Sequence, residues 1–85
     1  MADTKVLLWI IPMPKQRDAL IQKLIDRLGD YDPAVRRNAA GALRLHGVRA
    51  VDAIPALKAV IEDDEDPKVR QEAETAVQRL EAIAA

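Results

Sequence analysis

The chain has no cysteine, no serine and no phenylalanine, and its only aromatic residues are Trp9 and Tyr31. Without cysteine there is no disulfide framework, no thiolate nucleophile and no cysteine-based zinc site. Without serine there is no serine nucleophile, and Thr4 and Thr75 have no histidine near them in sequence. The single histidine, His46, has no second imidazole to share a metal with, and at a core-facing slot it reads as a packed or hydrogen-bonded residue. The glycines at 29, 41 and 47 are isolated, so no phosphate-cradling loop exists. Charge of one sign is missing too. With 13 Lys and Arg against 14 Asp and Glu the net charge is −1, which gives bulk electrostatics no pull toward nucleic acid. No apolar run is long enough to span a bilayer. Together these gaps argue against an enzyme and against a metal or cofactor.

What the chain does have is alanine, leucine, arginine and glutamate at helical spacing. Its 85 residues suit one small all-α domain. A domain of this size has stability on the order of 4–13 kcal/mol. The central stretch is DPAVRRNAAGALRLHG, residues 32–47. Asp32 stands where a helix N-cap belongs, since its carboxylate can accept from the unpaired amides of the first turn. Pro33 follows at the first helical position, where its missing amide costs nothing. Val35, Ala39, Ala42, Leu43 and His46 share one face, and Gly47 falls where a left-handed terminator is wanted. From Asp32 to Asp66, a shift of 34, the pattern returns: Pro67, Val69, Arg70, Ala73, Ala76, Val77 and Leu80 take the matching places. Both the cap and the apolar face recur, which indicates a structural repeat.

The remaining segments fit the same plan. Residues 15–28 form an amphipathic helix with Leu20, Ile21, Leu24, Ile25 and Leu28 as its stripe, closed by Gly29. A second such helix over 53–62 carries Ala53, Ile54, Leu57, Val60 and Ile61, with Asp52 as its expected cap across the short connection 47–52. The predicted helices are therefore 15–28, 33–46, 53–62 and 67–83, in one domain spanning 1–85. Ile83 is expected to be buried with the rest of the last apolar face. In that last helix Gln71, Glu74 and Thr75 replace the Arg37, Ala40 and Gly41 of the earlier copy, so its outer side suits solvent. The acidic run Glu62–Asp66 reads as a solvated turn before a helix N-terminus. It lacks the glycine and the terminal glutamate of a calcium loop.

Residues 1–14 hold the most apolar run, Val6, Leu7, Leu8, Trp9, Ile10 and Ile11, ended by Pro12 and Pro14. Asp3 and the absence of a cleavage site argue against a secretory leader. Three readings stay open: an arm or cap folded over the first edge of the helices, an exposed arm for self-association or partner binding, and a membrane-surface anchor.

Through these residues the chain is similar to HEAT repeats, of the short phycobilisome-lyase HEAT-like type, over about residues 17–83. The resemblance rests on Asp30 and Arg36, on Asp64 and Arg70, on the Val–Arg dipeptides at 35–36 and 69–70, and on the alanine–leucine tails. It implies an α-solenoid of about two helix pairs, a ladder of hydrogen bonds through Asp30, Arg36, Asp64 and Arg70, and protein–protein binding on a concave face. Some relatives of that type assist bilin attachment. His46 departs from the pattern, which usually has Ile or Leu there. Fold alone does not fix function. The reading is a non-enzymatic, cytoplasmic interaction module, with Gln22, Lys23, Asp26, Arg27, Lys58 and Glu62 as the contact surface for an unknown protein. The alternative is a homodimer built through Val6–Ile11. Nucleic-acid binding by a strip of Arg36, Arg37, Arg44, Arg49, Lys58, Lys68 and Arg70 is not expected, because acidic turns interrupt it and no aromatic platforms accompany it.

Overall fold

A computed structural model of the chain describes residues 18–85. Helix α1 spans Ala19–Arg27, α2 Pro33–His46, α3 Ile54–Asp63 and α4 Pro67–Ala84, with a 3-10 helix, η1, at Gly47–Ala53. Among the described residues there is no strand. The all-α reading therefore stands.

The helix starts follow from the aspartates. Asp18 caps α1 by accepting from the Leu20 amide, Asp32 caps α2 through the Ala34 amide, and Asp66 caps α4 through the amides of Lys68 and Val69. Pro33 and Pro67 stand in the first turns of α2 and α4. The first amphipathic helix, expected from residue 15, begins at Ala19 after its Asp18 cap, and residues 15–17 lie outside the described ones. Gly47 ends α2 at φ 61° and ψ −130°, a conformation that L side chains rarely adopt.

The stretch after Gly47 differs from expectation. It is not a plain connection capped by Asp52. It winds into η1 and passes into α3 without leaving the helical region of backbone space, and Ala53 precedes α3 with no side-chain cap. No extended residue opens a free helix end there, so Asp52 has no cap to make and is exposed. Ala50 and Ala53 are fully buried, and their small side chains let η1 lie close against α4.

α2 and α4 pack against each other, with α1 on α2, α3 on α4 and η1 touching all of these helices. The core runs through Ile21, Leu24 and Leu28, then Ala39, Ala40 and Leu43, then Leu57, and closes on Val69, Ala73, Ala76, Val77 and Leu80. Burying each of the leucines contributes roughly 1.5–3 kcal/mol. Val35, Ala42 and His46 are half-buried, whereas Ala40, which sits a quarter-turn round from that row, is fully buried against α4. Ile54, Val60 and Ile61 pack on the core from the side. Two expected core residues stay in the open: Leu20 at 44% and Ile83 at 42% exposure. Each lies in a terminal turn of its helix.

Candidate interaction surface

Each repeat opens with the same turn, built from Asp-x-Asp-Pro. The Asp32 amide donates to Asp30 Oδ1 at 2.9 Å, and the Asp66 amide donates to Asp64 Oδ1 at 2.9 Å. The second aspartate of each turn then caps the helix. The arginine one turn into the helix reaches back: Arg36 Nη1 donates to the carbonyls of Asp30 (2.8 Å) and Tyr31 (3.1 Å), and Arg70 Nη1 donates to the carbonyl of Asp64 (2.7 Å). Carbonyls that would otherwise be left unpaired by the turn are thus satisfied.

The two turns are then joined. Arg36 Nε donates to Asp64 Oδ2 at 2.8 Å and Arg36 Nη2 donates to Asp64 Oδ1 at 3.1 Å, a two-pronged pairing between repeats. These side chains are 12% and 7% exposed, so water screens the pair only in part. Asp30, Arg36, Asp64 and Arg70 therefore meet along one edge. Within a repeat the arginine bonds the backbone of its aspartate, and only across repeats does it bond a carboxylate. Burial by itself would push the Asp64 carboxyl up; the hydrogen bonds from Arg36 and the Asp66 amide, with the charges of Arg36 and Arg70, outweigh it and hold the group below its ordinary value. The hydrogen bond to Asp64 chiefly holds the Arg36 guanidinium above its own ordinary value.

A second long-range pair ties α1 to η1. Arg49 Nε donates to Asp18 Oδ2 at 2.9 Å, and Nη2 donates to the same oxygen. This hydrogen bond is the main cause that lowers the Asp18 carboxyl. Spacing carries no signal for this pair, since Asp18 and Arg49 lie 31 residues apart and Arg49 stands out in the sequence only as part of the basic strip.

The proposed contact residues lie on α1 and α3. Lys23, Asp26, Arg27, Lys58 and Glu62 are exposed and Gln22 is half-buried. Gln22 Nε2 donates to Asp26 Oδ1 at 3.0 Å, and Lys58 Nζ lies 3.0 Å from Glu81 Oε2. α1 and α3 do not pack closely on each other; the end of α1 and the side of α3 border a shallow groove of about 420 Å³ whose floor includes Leu28, Arg36 and Val60. Asp63, Asp64 and Glu65 make one end of that groove acidic. Among the described residues no group of three metal-ligating side chains converges.

The family profile of HEAT repeats matches residues 6–78. The chain belongs to the HEAT-repeat family. No curated protein and no solved structure matches it. HEAT repeats are commonly protein-interaction scaffolds and are typically not enzymes. Among the described residues of this HEAT-repeat chain, no helix is long and apolar enough to cross a membrane. Val6, Leu7, Leu8, Trp9, Ile10 and Ile11, the expected self-association segment, lie outside the described residues.

Proposed function

We propose that the chain is a non-enzymatic protein–protein interaction module, an α-solenoid of about two HEAT-type helix pairs of the short phycobilisome-lyase-like kind, working in the cytoplasm. The observation that carries this reading is the division of labour among its charged groups. Arg36, Asp64, Asp30 and Arg70 are turned inward on each other and on backbone groups, while Lys23, Asp26, Arg27, Lys58 and Glu62 stay at the surface of α1 and α3. The inward set gives stiffness, and the outward set gives a mixed-charge face suited to a polar protein partner. Within the basic strip Arg36 and Arg49 already hold carboxylates, which argues against a continuous phosphate-binding row. The self-association reading through Val6–Ile11 remains the alternative, and a sedimenting monomer at high concentration would count against it.

The test is affinity capture from the native cell with the full chain, comparing wild type with a Lys23→Glu/Arg27→Glu variant and, separately, Lys58→Glu. Loss of a specific partner in the first variant supports the α1 face. Retention of every partner in both variants rejects the surface. Lys58 is tested separately because its reversal also repels Glu81.

A further inference from the structure

The outer side of α2 is a second surface, distinct from the α1–α3 face. Along it Ala34, Gly41 and Val48 follow each other at intervals of seven, Val48 being the first residue beyond the Gly47 cap. On one flank stand Arg37 and Arg44, also seven apart, and on the other Asn38 and Leu45. Arg37, Asn38, Gly41, Arg44 and Leu45 border a shallow groove of about 350 Å³ between α2 and α4, with Glu72 of α4 on its far edge. Leu45 is 76% exposed and Val48 72%, the most exposed aliphatic side chains among the described large hydrophobic residues.

Two features mark this face as unfinished. First, Arg44 Nε is buried without a hydrogen-bond partner, the one such side-chain atom among the described residues. A shielded donor with no acceptor is costly, and a shift of the Arg44 side chain that brings Nε to a partner oxygen relieves that cost. Second, neither the Arg37 nor the Arg44 side chain bonds or pairs with any described residue, whereas Arg36 and Arg49 hold carboxylates. Gly41 supplies the close approach: between the arginines the ridge has no side chain to hold a partner off.

We propose that the outer face of α2 docks an amphipathic helix of another protein. That helix presents two carboxylates seven residues apart, with aliphatic side chains beside them. Seven residues of helix rise about 10.5 Å, so two such carboxylates keep step with Arg37 and Arg44. The aliphatic side chains meet Leu45 and Val48, which favours a protein over a phosphate backbone. Glu72 repels a carboxylate placed over Gly41, so the acidic positions fall at the arginines and not between them. A second copy of this chain also carries carboxylates seven apart, Glu74 and Glu81 of α4, but Glu81 is already 3.0 Å from Lys58.

The probe is a labelled helical peptide of about five turns, with glutamates seven apart and leucine and alanine between, compared with the same peptide carrying lysines at those two positions. Anisotropy and amide NMR are read on the full chain. The glutamate peptide is expected to bind about tenfold or more tighter than the lysine peptide, with shifts confined to α2 and to Glu72. Arg44→Gln is expected to weaken it about tenfold, and Gly41→Leu to block it, in variants whose helical circular dichroism matches wild type. Lys23→Glu/Arg27→Glu is expected to leave the binding unchanged, which separates this proposal from the α1–α3 reading. Equal binding of both peptides, shifts on α1 and α3, or no binding at millimolar peptide overturns it. So does self-association of the chain that is lost in Glu74→Lys, which would make the second copy the occupant.

Discussion

Arg36 reaches across 28 positions of sequence to grip the carboxylate of Asp64 with two hydrogen bonds, while its third nitrogen holds the carbonyls of Asp30 and Tyr31 in its own repeat. One side chain therefore closes a turn and links two repeats. Replacing it with lysine keeps the charge and loses the fork, because an ammonium cannot make the planar pairing. Arg36→Lys is expected to lower the thermal midpoint by roughly 5–10 °C. Asp64→Asn is expected to cost a similar amount, since the asparagine oxygen can still accept from the Asp66 amide but the charge is gone. A double-mutant cycle on the thermal midpoints checks the coupling; additive effects would show that the pair contributes nothing as a pair.

Acid should act through the same carboxylate. The folded Asp64 carboxyl lies below its ordinary value of 3.8, so the unfolded chain binds the proton more readily. The resulting stabilisation is fully present above that ordinary value and is lost as pH falls through the lower folded value. Asp18, lowered chiefly by its hydrogen bond from Arg49, adds an effect of the same sign. Urea midpoints measured from neutral pH down past 3.8 are expected to fall more steeply for wild type than for Asp64→Asn. Added salt should flatten the Asp18 contribution first, because Asp18 and Arg49 are the more exposed pair. Parallel curves for wild type and Asp64→Asn would refute the assignment.

Leu57 is fully buried on α3, the helix that packs on α4 and η1. Leu57→Ala is expected to cost about 2–5 kcal/mol through lost burial and the cavity left behind. That is a large share of the stability available to so small a domain. Chemical denaturation read by circular dichroism checks it. A loss under about 1 kcal/mol would mean that α3 is not held on α4 as described.

Two glycines should respond in opposite directions to the same substitution. At Gly41, inside α2, an added Cβ would sit 3.5 Å from Glu72 Oε2, an ordinary contact, so Gly41→Ala is expected to stabilise by about 0.5–1 kcal/mol. At Gly47 the space is open enough, with Ile83 Cδ1 at 3.8 Å, but the backbone φ is +61°. Gly47→Ala is therefore expected to destabilise by about 1–3 kcal/mol. Thermal melts of the two variants decide it, and the same sign for both would contradict this account of why each glycine is there.

Local chemistry alone was enough for much of the fold. The Asp-Pro starts at 32–33 and 66–67 announce two helices, because a capping carboxylate and a proline in the first turn act within a few residues of themselves. Leu24, Leu43, Leu57 and Leu80 are readable as core from their spacing, since helical periodicity is also a local property. The face of α2 was less legible: Ala40 lies off the apolar row and is buried because α4 happens to pack there. Leu20 and Ile83 belong to apolar rows and remain partly exposed at the terminal turns of their helices. The 3-10 helix between Gly47 and Ala53 has too few residues for a periodic signal, and its alanines acquire meaning only against α4. Which aspartate answers which arginine also lay beyond spacing. Asp30 and Arg36 are close in sequence, yet the carboxylate that Arg36 holds is Asp64, because a pairing between repeats exists only once the helices have stacked and brought distant turns within 3 Å of each other.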